Sequence, residues 1–357
     1  MKHKKIILLI FLTIIIIFIG IFYFNTYKPN KEISNLDLSN IEIKNNTINL
    51  ESLTIKQKIG QMIMIRGDEE DLKYNKLNVG GIFLDRQQNE EEYRSLIFDY
   101  QSNSKIRLLV STDMEGAWTP FHNPEPHQKF PHFSNINTSE EAEEIGVKHG
   151  ELLKDIGFNI NFAPVSEYYD DVYGGRTFSG SDEEISQKVG AYIRGLQLNV
   201  LGTCKHYPGN SMEKNLHDVS DEQVISERDL HLFNICLENN VSSIMVSHQI
   251  ATGVLDSQGK PSTVSEEIIS TVDEDVLVIA DEINMRGLKD FYPDKTELYI
   301  DLINSGENLI LDFYLDSIEL YKLIEEIEAE VENGNIDEQK IDYSVKKILE
   351  IKGYGVF

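Results

Sequence analysis

The chain has 357 residues, with 33 Lys and Arg against 60 Asp and Glu, giving a formal charge of −27. So acidic a surface repels polyanions at long range and excludes nucleic acid as a natural partner. Only Cys204 and Cys236 are present, too few for a disulfide framework of the kind small secreted domains need. Two buried thiols are the default reading, and a single bridge between them stays open.

Taken in chain order, the first feature is an apolar run from Ile6 to Phe24, interrupted mildly by Thr13 and Gly20. As a helix it is long enough to cross a hydrocarbon core of about 30 Å. Lys2, Lys4 and Lys5 precede it, so residues 1–5 are expected in the cytoplasm and everything after Tyr27 outside. The run exits through Phe22, Tyr23 and Phe24 with no small-residue cleavage pattern, which favours an uncleaved anchor over a secretory signal. Residues 6–24 are therefore expected to be a single-pass transmembrane anchor that holds the rest at the outer face of the cell membrane. Residues 25–50, rich in Asn, Lys, Ser and Asp, read as a spacer rather than a packed element.

From residue 51 to 357 short β-rich apolar runs alternate with segments of helical period, the pattern of a parallel sheet under covering helices. The runs are Gln61–Ile65, Gly80–Leu84, Arg107–Asp113, Asn159–Val165, Gly202–Tyr207, Ser242–His248, Val276–Asp281 and Asn308–Phe313. Their number is that of a (β/α)8 TIM-like barrel in one domain. Helices are expected at Glu140–Ile156, stopped by Gly157, and at Glu183–Leu198, Glu227–Asn239, Ser317–Asn333 and Glu338–Lys352. A doubly wound sheet shares this alternation, but Asp113, His206, His248 and Asp281 each end an apolar run. Barrel enzymes gather their chemistry at the C-terminal strand ends, so these endings read as one ring of functional groups.

The ordered tokens IGQM at 59–62, GGIFL at 80–84, STDMEG at 111–116, GFNINFAPV at 157–165, GRTFSG at 175–180 and KHYPG at 205–209 carry a resemblance, continued by SHQIATGVLD at 247–256, PSTVS at 261–265, ADEINM at 280–285 and NSGENLIL at 304–311. From Leu53 to Gly355 the chain resembles the glycoside hydrolase family 3 N-terminal catalytic domain, in particular its β-N-acetylglucosaminidase branch. The resemblance implies a retaining glycosidase (β-N-acetylhexosaminidase) acting on a GlcNAc-containing glycan, with a carboxylate that attacks the anomeric carbon. Asp281 sits at the matching position. Glu282 is the rival, and alternation along a strand is expected to send the two side chains opposite ways.

The same resemblance maps a loop histidine acting as acid and base onto His217, whose imidazole suits proton transfer in both directions with an unperturbed pKa near about 6.5. It maps sugar-hydroxyl contacts onto Asp113, Arg176, Lys205 and His206, and places His248 near the site. The chain departs from the family's pattern at Ala117-Trp118 in place of Gly-Arg, Asn210 in place of His, Asn215 in place of the Asp that partners the histidine, and Glu282 in place of Asp. Asp218 or Glu213 stands ready to substitute for the missing partner. Trp118, the only tryptophan, either offers its face to a pyranose ring or anchors the core.

No cofactor or metal is expected: no H-E-x-x-H and no G-x-x-x-x-G-K-[ST] occurs, and the 9 histidines lack ligand spacing. Resemblance and topology together point to peptidoglycan or its fragments as substrate. Two other outcomes fit the same fold: an anchored sugar-binding module with impaired catalysis, motivated by the altered acid/base loop, and a β-glucosidase-like activity.

Overall fold

Each of the eight apolar runs holds a strand, and each strand is hydrogen-bonded in parallel to the next around a closed ring. They are β1 (Ile63–Arg66), β2 (Gly81–Phe83), β3 (Leu109–Thr112), β4 (Ile160–Asn161), β5 (Leu201–Tyr207), β6 (Ser243–Val246), β7 (Leu277–Ala280) and β8 (Leu309–Leu311). The ring closes where Ile310 and Leu311 of β8 pair with Ile63 and Met64 of β1. The chain is thus an α/β protein built on an eight-stranded parallel barrel. It is described by a computed structural model over residues 11, 13–16, 23, 28–68, 71–121, 129–170, 172–209 and 222–357. The strands are nearly all buried because helices cover the outside while side chains fill the inside, so they read as continuous apolar runs without alternation.

The helices of the outer layer are α1 (Ile55–Gln61), α2 (Glu90–Asn103), α3 (Ser139–Ile156), α4 (Asp182–Leu196), α5 (Glu227–Glu238), α6 (Lys295–Ser305), α7 (Ser317–Glu332) and α8 (Glu338–Ile351), with shorter turns between them. Their ends follow the expected chemistry. Ser181 with Glu184, Ser226 with Asp229 and Asp316 with Glu319 form capping boxes at the starts of α4, α5 and α7. Gly157 stops α3 at φ 118°, in the left-handed region that favours glycine.

Two expectations are corrected. Residues 28–48 are a packed element, not a spacer. A helix at Lys28–Ser34 buries Ile33, and Tyr321 of α7 donates from its hydroxyl to Glu32 at 3.2 Å. The hairpin Ile43–Lys44 with Thr47–Ile48 then pairs with Gly355–Val356 at the other end of the chain, closing the N-terminal end of the barrel. The scattered isoleucines of this polar stretch are what pack: Ile33, Ile41 and Ile48 are 0%, 2% and 0% exposed. The second correction concerns the thiols: Cys204 of β5 and Cys236 of α5 are joined as a disulfide, with Cα atoms 6.5 Å apart. Among the described residues no helix is long and apolar enough to cross a membrane. Most of the anchor expected at 6–24 lies outside the described residues, which there are only 11, 13–16 and 23.

Candidate active site

The C-terminal ends of the strands surround a cavity of about 450 Å³. Because β3, β6 and β7 stop at Thr112, Val246 and Ala280, Asp113, His248 and Asp281 all fall just beyond a strand rather than on one. Asp113, Arg176, Lys205, His206 and Asp281 are brought together on the cavity wall, among Phe83, Phe162 and Phe313. Two consecutive residues of β5, Lys205 and His206, both face the cavity because the ladder to β6 shifts register between Lys205 and Tyr207.

The floor is an ion network organised by a residue that the sequence reading passed over. Glu115 is only 2% exposed and lies between two cations. Arg176 reaches it with two nitrogens, Nε and, at 2.9 Å, Nη2. Lys205 Nζ lies 2.5 Å from Glu115 Oε1 and 2.6 Å from Asp113 Oδ1. Burial alone would raise the Glu115 carboxyl, but Arg176 and Lys205 outweigh it and hold the group far below the usual carboxylate range. Burial likewise opposes the Lys205 ammonium, and Asp113 and Glu115 more than compensate, keeping it protonated. Arg176 also receives a fix from its own backbone, whose N–H donates to Asp170 at 2.9 Å. Asp113 is the open member, with its side chain 47% exposed.

Asp281 stands beside this network. Its Oδ1 accepts the Glu282 backbone N–H at 2.7 Å. Burial pushes the carboxyl up, but His206, His248, that N–H and Lys205 outweigh it and leave Asp281 below its ordinary value. Glu282 lines the cavity too, contrary to the expected alternation, because both residues lie past the end of β7. Its environment is the reverse. Burial raises the Glu282 carboxyl, and Asp312 and Asp281 nearby add to that against the hydrogen bonds from Asn284. The two neighbouring carboxyls are thus shifted in opposite directions, Asp281 downward and Glu282 upward.

His206 is steered by another residue the sequence reading missed: Glu167 accepts from the His206 backbone N–H at 3.3 Å and meets Nδ1 at 3.2 Å. His248, expected near the site, lies where it supports the turn after β7. It is 1% exposed and absent from the cavity wall. Its Nε2 lies 3.0 Å from the Glu282 carbonyl and its Nδ1 3.0 Å from Thr263 Oγ1. A carbonyl only accepts, so Nε2 carries a proton and the ring buttresses the turn that presents Asp281. Below the same turn, Asn284 joins Glu282 to Asp312, which Lys295 holds at 3.0 Å.

Trp118 is on the rim, not in the core, and is 40% exposed. Its Nε1–H donates to the Gly174 carbonyl at 3.0 Å. The loop accepts this because Gly175 has φ 89° and a Cβ there would lie 2.6 Å from the His132 ring. His217, with Glu213, Asn215, Asp218 and Asn210, lies outside the described residues. Among the described residues no group of three or more His, Cys, Asp and Glu has the geometry to hold a metal ion.

Comparison with known proteins bears on what this arrangement does. The family model for the Glycosyl hydrolase family 3 N terminal domain matches residues 54–351. Beta-hexosaminidase A of Pseudoalteromonas piscicida is 22% identical over 322 residues, covering 78% of this chain and 54% of that protein. Beta-glucosidase B of Emericella nidulans is 27% identical over 219 residues, covering 59% of this chain and 24% of its own length. Among solved structures, a glycoside hydrolase family 3 beta-N-acetylglucosaminidase from Paenibacillus sp. str. FPU-7 has a TM-score of 0.76 at 26% identity, over 84% of this chain and 62% of that one. The chain spans about half or less of the length of these two curated relatives.

Proposed function

Because the chain belongs to glycosyl hydrolase family 3, we propose that it is a retaining β-N-acetylglucosaminidase that removes terminal N-acetylglucosamine from a glycan. The observation that carries this reading is Asp281: a carboxylate at a strand end, on the wall of the cavity at the barrel mouth, held below its ordinary value by His206, His248, the Glu282 N–H and Lys205 despite its burial.

Its carboxylate oxygen attacks C1 of the bound sugar while the C1–oxygen bond to the leaving group breaks. The leaving oxygen takes a proton from the His217 imidazolium, and the product of this step is a glycosyl ester on Asp281. The neutral imidazole then removes a proton from water, whose oxygen attacks C1, opens the ester and regenerates the carboxylate. Asp113, Arg176, Lys205 and His206 grip the sugar hydroxyls. Lys205 and Arg176 are suited to this because Glu115 fixes both heads before any ligand arrives.

Peptidoglycan or its fragments are the proposed glycan, met outside the cell by a domain held through an anchor at 6–24. Three features support that setting: the apolar run itself, the Cys204–Cys236 bridge, which persists in oxidising compartments, and Arg86. The last is an exposed guanidinium on the cavity wall with no ion pair among the described residues, in a chain of charge −27, and it suits a carboxylate on the substrate.

A panel of nitrophenyl glycosides tests the reading. Release from the β-N-acetylglucosaminide, slower release from the β-glucoside and a loss of more than about a thousandfold in Asp281→Asn are expected. Preference for the β-glucoside would move the substrate assignment toward the glucosidase relative. Sugar binding with no turnover on any member of the panel would make the domain a binding module.

A further inference from the structure

Trp118 stands where the family resemblance leads one to expect arginine, and the catalytic scheme gives it no task. It is held in one orientation from three sides. The indole N–H is satisfied by the Gly174 carbonyl. Tyr173 meets the ring edge to face at 5.8 Å and 65°, and His132 does so at 6.5 Å and 64°. Its backbone exchanges hydrogen bonds with Glu115 in both directions, at 2.7 and 3.2 Å, which ties it to the ion network of the floor. An indole whose polar edge is satisfied and which is 40% exposed has only apolar ring surface left to offer. Tyr173 stands beside it, also 40% exposed and turned 65° from the indole plane, with Arg176 5.2 Å from its ring centre.

The polar residues around Asp281 account for one sugar ring, yet the cavity of about 450 Å³ is of the size that takes a larger ligand than one hexose. We propose that Trp118, braced by Tyr173, is a stacking platform for a second pyranose of the same glycan, contiguous with the ring at Asp281, so that the site takes at least a disaccharide segment. A pyranose presents a face of C–H groups that matches an aromatic plane, and a platform already rigid in the free protein loses little entropy on binding. The proposal rests on the glycosidase reading above, but stacking itself needs no turnover.

Trp118 is the only tryptophan in the chain, so selectively excited tryptophan emission reports on this platform alone. In the Asp281→Asn protein, chitobiose and chitotriose are expected to give a saturable change in tryptophan emission, and N-acetylglucosamine a much smaller one. In the active protein, the ratio of kcat/KM for chitotriose to that for the nitrophenyl β-N-acetylglucosaminide is expected to fall about tenfold in Trp118→Ala, and to stay within about threefold of the parent in Trp118→Phe, which keeps an aromatic face. An equal response to the monosaccharide, or an unchanged ratio in Trp118→Ala, would overturn the proposal. Should no aryl glycoside be cleaved, the catalytic reading fails by itself. The titration with chitotriose then still decides: a saturable response supports the platform and a flat one ends it.

Discussion

Glu115 shows how much of this site depends on one side chain that touches no expected ligand. It neutralises two cations that burial would otherwise penalise, so Glu115→Gln leaves Arg176 and Lys205 without their shared counter-charge. Breaking a buried pair in this way costs about 3–5 kcal/mol, and a lower denaturation midpoint with a raised KM is expected. The sign with pH follows from the same group. Its folded pKa is depressed, so its stabilisation is complete above the ordinary carboxylate value and is lost as pH falls through the folded one. Acid unfolding of the parent should therefore set in below the ordinary range and move to higher pH in the variant, a shift that chemical denaturation at several pH values measures. Asp281 is depressed as well, so the acid limb of kcat/KM is expected below the ordinary aspartate range. His217→Ala should lower kcat about 10²–10⁴-fold on natural glycans and less on nitrophenyl glycosides, whose leaving oxygen needs little protonation. Equal losses on both substrates would take the proton-transfer role away from His217. Asp113, Arg176, Lys205 and His206 were legible because each lies in a recognisable token. Glu115 lay in the token STDMEG but carried no signal of its own, since its importance comes from Arg176 and Lys205, 61 and 90 residues away in sequence and joined to it only by the fold.

At the scale of elements, the runs that became strands were readable because burial on both faces demands unbroken apolar residues. Their ends were not, because hydrogen-bond pairing with neighbours decides where a strand stops. β3, expected to reach Asp113, ends at Thr112, and β7 ends at Ala280, which is why Asp281 and Glu282 escape alternation and share one cavity. The bulge in β5 does the same for Lys205 and His206, and no spacing in the sequence announces it. The disulfide was open in the sequence because pairing depends on Cα positions. It ties β5, directly before Lys205, to α5 across a separation of 32 residues. A cross-link over such a loop stabilises by about 3–4 kcal/mol in the chain-entropy model. Cys204→Ser with Cys236→Ser is expected to lower the unfolding free energy by that order, and reductant should destabilise the parent but not the double variant. An identical response of both proteins to reductant would remove the bridge from the account.

For the whole molecule, barrel and family were legible from strand count and ordered tokens, whereas the role of residues 28–48 was hidden by polar composition. Three buried isoleucines and a hairpin paired with Gly355–Val356 make that segment part of the barrel's closed end. A chain starting at Lys28 is expected to unfold like the parent's barrel. One starting at Leu50 should lose at least about 4 kcal/mol through the side chains left without cover, as denaturant titration of both would show. What unites the scales is one carboxylate: the ring of strands places Asp281 at the cavity, His206, His248 and the Glu282 N–H hold its carboxyl below the ordinary value, and the proposed mechanism makes it the nucleophile. The most direct test is to trap the glycosyl ester with an activated 5-fluoro glycosyl fluoride of N-acetylglucosamine and to map it by mass spectrometry of the digested protein. The account predicts one sugar on the peptide carrying Asp281, attached to that side chain. A label on Glu282 or on any other residue would contradict it.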